Sequence, residues 1–289
     1  MSEVAQRRQD RIGLVDWYSE SLGSAGPRLL LLHGTGASTH SWRDLLSDLA
    51  QDFKVLAVDL PGHARSRTAR GFRPTLPNVA TALSSLLTHL KWQPDIVAGH
   101  SAGAAIAIEL ALRHPAPPKA LVSFNGALLP FQGPAARIFP AMARALYLNP
   151  VARGFFAWQA DKPETVAKLL SDTGSTLTDE GVASYSRLFR NREHLRGALA
   201  LMAYWDLLAL KRRLPKLQVP LLLVTGLRDR AVPPSTAESV AKLVGAPKVE
   251  RLDGLGHLAH EEDPGQAAAL IRQAAVDAGL PLGRSVQTS

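Results

Sequence analysis

The sequence predicts an α/β fold: a mostly parallel central sheet with helices on both faces and an inserted helical cap. Three observations carry this. Short apolar runs of strand length alternate with segments of helical spacing over residues 12–124 and again over 219–278, the pattern of strand–helix–strand units. Residues 126–216 keep helical spacing but contain no convincing buried-strand run. One apolar run, Asp95-Ile-Val-Ala, leads into Gly99-His100-Ser101-Ala102-Gly103, and an apolar helical pattern follows directly. The expected organisation is a core made of residues 1–125 and 217–289, with 126–216 inserted as the cap.

Taken in order, residues 12–20 partly alternate and predict an early edge strand or hairpin arm. Arg28-Leu-Leu-Leu-Leu-His33 is a continuous apolar run, as a strand buried on both faces should be. It ends in His33-Gly34-Thr35-Gly36, where two glycines free the backbone just past the strand. Residues 41–51 read as an amphipathic helix, 54–58 as a buried strand, and 59–66 as a loop at the same sheet edge. Leu76, Val79, Leu83, Leu86, Leu87 and Leu90 set a helix over 75–90. The strand before Ser101 follows, then another at 119–124. Within the cap, helices are expected over 135–148, 163–170, 180–189 and 194–210. The core resumes with a strand at 219–225, a helix at 235–244, a strand at 248–252 and a closing helix at 264–278. The last ten residues read as a tail.

The chain has 289 residues and 46% hydrophobic content, enough for one large domain with an insertion. No apolar run approaches the ~20 residues of a membrane span, and residues 1–11 are polar with no apolar segment behind them. A cytoplasmic protein without a secretory signal is expected. There are no cysteines, which excludes disulfides, thiolate metal sites and cysteine nucleophiles. The net charge is +8. Of this, +6 lies in residues 126–216, with 13 Lys/Arg against 7 Asp/Glu. A solvated basic surface is the plain reading, and attraction to an anionic substrate or an anionic membrane surface is the sharper one. No nucleic-acid partner is expected. Arg187, Arg190, Arg192 and Arg196 form the most concentrated basic run.

Gly-x-Ser-x-Gly between a strand and a helix has a steric reason. The turn strains its central residue, and Cβ atoms two positions to either side would strike neighbouring backbone. Ser101 is thereby exposed at the carboxyl edge of the sheet as a nucleophile. The amide of Ala102, at the helix start, faces a developing oxyanion, and that of Thr35 is the second expected donor. Asp229 follows the strand at 219–225 and His257 follows the strand at 248–252. Loops at the carboxyl ends of parallel strands share one edge, so the three residues converge. Serine needs a base to take its proton, His257, and an acid to fix the imidazole, Asp229.

Position separates the rival residues. His33 is expected to pack under the glycine loop, and His100 to turn away from Ser101. His257 and His260 are spaced like a metal pair but lack a third ligand, so no metal and no cofactor is expected. Asp253 precedes His257 by four residues, and Asp59 reads as ordering its own loop through Gly62 and Ser66. The strand ending at Phe124 is followed by Asn125 where an acid would stand in some arrangements, which favours Asp229.

With these residues in view, the chain resembles the α/β-hydrolases over nearly its full length. It resembles more closely the magnesium-chelatase accessory proteins of bacteriochlorophyll biosynthesis. The stretches that carry this are LLLLHGTGASTHSWRD at 29–44, AGHSAGAAIA at 98–107, NGALLPF at 125–131, FPAMAR at 139–144, TGS at 173–175 and the segment 197–207 ending YWDL. The resemblance implies catalytic roles for Ser101, Asp229 and His257 and oxyanion roles for Thr35 and Ala102. One departure is Ala64, where the superfamily loop commonly has glycine. The resemblance further implies a link to tetrapyrrole synthesis, with a tetrapyrrole carrying carboxylates, magnesium-chelatase subunits or an anionic membrane as partners of the basic cap.

Three functions compete. The first is a serine hydrolase cleaving an ester-like bond of a small, fairly apolar substrate, favoured by the complete set Ser101, Asp229, His257. The second is a non-catalytic accessory or tetrapyrrole-binding protein on a hydrolase scaffold. The third is a carbon–carbon bond hydrolase, which would use the same residues.

Overall fold

The computed structural model describes residues 5–130, 162–245 and 247–283, together with isolated positions between 145 and 159. The chain opens with a hairpin, β1 (Gln6–Ile12) and β2 (Val15–Leu22), turned at Gly13 with φ +57°. β3 (Arg28–Leu32), α1 (Arg43–Leu49), β4 (Lys54–Val58) and the two-residue β5 (Arg67–Thr68) follow. Next come α2 (Leu76–His89), β6 (Ile96–His100), α3 (Ala102–Arg113) and β7 (Ala120–Phe124). Between β7 and the next strand the described residues include α4 (Pro163–Asp172), α5 (Asp179–Arg190), α6 (Arg192–Ala203) and α7 (Leu208–Arg213). β8 (Leu221–Gly226), α8 (Ser235–Ala241), β9 (Lys248–Leu252), the single turn α9 (Ala259–Glu262) and α10 (Pro264–Asp277) complete the described chain.

The sheet runs β1-β2-β4-β3-β6-β7-β8-β9, with β5 paired to β2. From β4 to β9 every pairing is parallel, and β2 joins this array antiparallel. The period-2 alternation of strand side chains sorts the apolar runs onto two faces. Leu30, Leu32, Val97 and Leu121 pack with α2 and α3. Leu29, Leu31, Ile96 and Val122 pack with α1 and α10. Both faces are therefore buried, which is why these strands read as unbroken apolar runs. The parallel register sets His100 opposite Phe124, Phe124 opposite Val224 and Gly226 opposite Leu252. The loops that follow β6, β7, β8 and β9 consequently emerge at one edge.

Two sequence expectations need correction. The first strand reaches back to Gln6, into residues that carry no apolar pattern. β1 is held by its backbone ladder with β2 across Gln6↔Ser21 to Ile12↔Val15, and its arginines stay exposed, as suits an edge strand. The helix expected over 194–210 is two helices. The chain leaves α6 at Tyr204, and Asp206 Oδ1 accepts the Leu208 amide at 2.8 Å as α7 begins. Asn191 likewise separates α5 from α6, its side chain accepting the amides of Glu193 and His194. The helix expected over 135–148 lies almost wholly outside the described residues, as does the motif at 139–144. Among the described residues, no helix is long and apolar enough to cross a membrane.

Candidate active site

Ser101 sits between β6 and α3 with φ +50° and ψ −113°. A non-glycine residue held there costs of order 1–3 kcal/mol, a strain the surroundings must over-determine. They do so through the backbone: the Ser101 amide donates to Phe124 O at 3.0 Å, and the Ser101 carbonyl accepts the amides of Ala104 and Ala127. The flanking glycines have no room for a side chain. A Cβ at Gly99 would lie 2.5 Å from the Gly103 carbonyl oxygen, and one at Gly103 would lie 2.2 Å from the Leu32 carbonyl oxygen.

The loop after β3 closes on this turn. A Cβ at Gly34 would lie 3.1 Å from Ser101 Cβ, so the loop carrying Thr35 touches the serine's own side chain. Neither the Thr35 amide nor the Ala102 amide bonds to a described residue. Two donors beside one hydroxyl-bearing carbon can serve an oxygen that gains charge there.

The loops after β8 and β9 bring an acid and a base together. His257 Nδ1 donates to Asp229 Oδ2 at 2.8 Å, the tautomer following from the carboxylate as acceptor. This leaves Nε2 to take a proton. Asp229 is buried and fixed from the other side as well. Its Oδ1 accepts the amides of Ala231 and Val232, both at 2.8 Å. Its Oδ2 also accepts Asn125 Nδ2 at 2.8 Å.

The rival residues have other work. His33 donates from Nδ1 to Gly34 O at 2.7 Å and accepts the Leu60 amide on Nε2 at 2.9 Å, so it braces the glycine loop from below. His100 lies between Gly34 and the base loop, donating from Nε2 to the His257 carbonyl at 2.9 Å. Burial pushes its pKa well below the ordinary histidine value. His260 is fully buried and bonds through Nε2 to Ser41 Oγ at 2.7 Å. Among the described residues, no group of three or more His, Cys, Asp or Glu is placed to hold a metal. Asp59 orders its own loop, accepting the amides of Thr39 and Arg65 while Ser66 Oγ donates to its carbonyl. Burial raises its pKa to about 6. Asp253 is spent on the adjacent Gly254 amide. Ala64 takes the left-handed backbone, φ +44°, with its amide donated to His194 Nδ1 at 2.9 Å. Glycine is the residue such an angle favours.

Two supports of the site lie outside the residues expected from the sequence. Asn125, itself at φ +48°, donates both to Asp229 and to Gly256 O, tying the acid loop to the base loop. Its position after a strand at the shared edge was the available signal. The second support is the segment Thr173-Gly174-Ser175, wedged between those same loops. The Arg230 amide donates to Thr173 O at 3.0 Å, and the Leu258 amide to Ser175 Oγ at 2.8 Å. A Cβ at Gly174 would lie 1.8 Å from Arg228 O, and one at Gly256 would lie 2.3 Å from the Gly174 carbonyl carbon. Glu262 adds a bridge, accepting the amides of Thr176 and Gly256.

Ser175→Ala leaves the buried Leu258 amide without an acceptor, a loss of about 1–3 kcal/mol. Urea denaturation should show it as a lowered midpoint. An unchanged midpoint would mean the wedge carries no strain-bearing contact through this hydroxyl.

A strand–serine turn–helix, a donor loop against it, and an acid–base pair on the next sheet loops define an α/β-hydrolase. The model of the alpha/beta hydrolase fold family matches residues 27–264, and the chain belongs to that family. Within it, the chain falls in the magnesium-chelatase accessory branch. It is 40% identical over 259 residues to the magnesium-chelatase 30 kDa subunit of Rhodobacter capsulatus, covering 89% of each chain. It is also 30% identical over 270 residues to the lipase LipV of Mycobacterium tuberculosis, covering 90% of this chain and 97% of the relative. Among solved structures, a thermophilic esterase from Thermogutta terrifontis superposes with a TM-score of 0.75 at 21% identity, over 96% of this chain and 99% of that one. At that identity the likeness speaks for the fold.

Proposed function

We propose that the protein is a serine hydrolase that cleaves an ester-like bond in a small, fairly apolar substrate. The observation that carries this is the His257 Nδ1 to Asp229 Oδ2 contact at 2.8 Å on loops sharing an edge with the strained Ser101 turn. In this reading His257 Nε2 removes the Ser101 proton as Oγ attacks the carbonyl carbon. The carbonyl oxygen becomes an oxyanion against the amides of Thr35 and Ala102. Collapse expels the alcohol, which takes the proton from His257. Water, deprotonated by the same imidazole, then releases the acid and restores Ser101. The helices between β7 and β8 act as a cap of residues 126–216 on a core of 1–125 and 217–289. They are linked to it by the Thr173–Ser175 wedge.

A reactive fluorophosphonate, read by intact mass, tests the reading. One adduct is expected on the wild type and none on Ser101→Ala. No adduct on a folded wild type would overturn it.

The 40% identity to a magnesium-chelatase subunit supports placing the reaction in tetrapyrrole synthesis, with chelatase subunits as partners. The alternative reading, in which the scaffold assists a chelatase without cleaving a bond, is not the one these relatives favour. Capture of chelatase subunits by a wild type that never labels would favour that alternative reading.

A further inference from the structure

A cleft of about 790 Å³ opens between the loop after β4 and the first turns of α6. That is the size range of small-molecule sites, ~300–1,000 Å³. One wall comes from residues 61–74 and another from Asn191 to Ala200, and Tyr147 also lines the cleft. Ser101, Asp229 and His257 are not among its lining residues. His194 is the partition. It accepts the Ala64 amide on the cleft side and donates from Nε2 to Gly36 O at 3.1 Å on the other. Where the two walls meet, glycine faces glycine: a Cβ at Gly197 would lie 1.9 Å from the Gly62 carbonyl oxygen.

The lining has two characters. Phe72, Pro61, Pro74 and Ala200 supply its apolar lining, Phe72 half-buried and the other three buried. Among the described lining residues, Arg67, Arg70 and Arg196 bring three guanidinium groups from two walls, against one carboxylate, Glu193. Arg67 and Arg70 make no ion pair or side-chain hydrogen bond with any described residue, although both line a concave site. Arg196 holds Glu193 at 3.7 Å with both side chains more than half exposed, a pairing worth little. Guanidinium groups are suited to planar bidentate recognition of oxyanions. Of the four arginines singled out in the sequence, Arg196 alone lines this cleft; Arg187, Arg190 and Arg192 do not.

We propose that this cleft is a second ligand site, separate from Ser101, for a ring-bearing hydrophobic anion whose acidic group is held by Arg67 and Arg70. The ring lies against Phe72. The site does not depend on any chemistry at Ser101.

The test uses two probes that differ by one sulfonate, 1-anilinonaphthalene-8-sulfonate and neutral N-phenyl-1-naphthylamine, titrated by fluorescence into the full chain. The wild type should bind the sulfonate at one saturable site and more tightly than the neutral probe. Arg67→Ala/Arg70→Ala, with an unchanged melting temperature, should weaken the sulfonate by about tenfold or more, the effect of losing one charge-assisted contact, and leave the neutral probe nearly unaffected. Arg196→Ala should act in the same direction. Wild-type affinity for the sulfonate in the double variant would overturn the proposal, as would equal binding of the two probes to the wild type. Protein blocked at Ser101 by fluorophosphonate should still bind the sulfonate. Loss of binding on blocking would overturn the separateness of the site while leaving the hydrolase reading intact. A protein that binds the sulfonate but never labels would uphold the cleft and sink the hydrolase reading.

Discussion

Lowering the pH from 7 to 5 is expected to remove most of this protein's stability. His33, His40, His63, His100, His194 and His260 are held as neutral groups, chiefly because burial penalises their charged form. The pKa of His63 is pushed down to about 4, and those of His40, His194 and His260 to about 3. His33 and His100 also lie well below the ordinary value. In the unfolded chain each charges as the pH falls through about 6.5. The unfolded state then binds more protons than the native one, so the stability present above that pH is lost as pH falls.

Two carboxyls oppose this. Burial raises Asp59 to about 6 and Glu261 to about 7, so they bind protons in the folded state first and favour it as pH falls. With six histidines against two carboxyls, the net excess near pH 5 is about four protons, or roughly 5 kcal/mol per pH unit. Total stabilities are ~5–15 kcal/mol. Circular dichroism against pH should therefore show cooperative unfolding centred near pH 5. The urea midpoint should fall steadily between pH 7 and 6. A midpoint unchanged down to pH 5 would mean that these rings are hydrated or paired in solution.

Asp229→Asn is expected to slow fluorophosphonate labelling of Ser101 by ~10³–10⁴-fold, the scale of losing the carboxylate behind a catalytic imidazole. Four donors converge on Asp229: His257 Nδ1, Asn125 Nδ2 and the amides of Ala231 and Val232. An amide offers one oxygen in place of two. If it serves Ala231 and Val232, its NH₂ faces His257 and Asn125, and the imidazole flips to the wrong tautomer. If it faces His257, the two backbone amides are orphaned at about 1–3 kcal/mol each. Asn125→Ala keeps the carboxylate and should cost far less in rate than Asp229→Asn. Labelling of Asp229→Asn within tenfold of wild type would show that the imidazole does not depend on this carboxylate.

The parallel strands and the chain order of Ser101, Asp229 and His257 are legible in the amino-acid sequence alone. Leu29–Leu32, Val55–Val58, Ile96–Ala98 and Leu221–Val224 are buried on both faces, so their apolar runs could be read without knowing their partners. The glycines around Ser101 could be read for a similar reason, because their constraint is local: the Gly99 clash is with Gly103 itself. Asp229 and His257 were legible as residues just past parallel strands, since such ends share an edge.

Other features rest on contacts between distant backbones, which leave little trace in a local pattern. β1 is a strand because β2 supplies its hydrogen bonds, not because its side chains alternate. The wedge of Thr173–Ser175 against Gly256 and Arg228 joins segments more than 50 residues apart through atoms that every residue possesses. The break between α6 and α7 turns on one side-chain oxygen at Asp206. The arginines of the cleft were hidden for the opposite reason: Arg67 and Arg70 look like ordinary solvated charges until the fold sets them across from Arg196. Charge carries no periodicity of its own, so its function depends on which surfaces the chain brings to face one another.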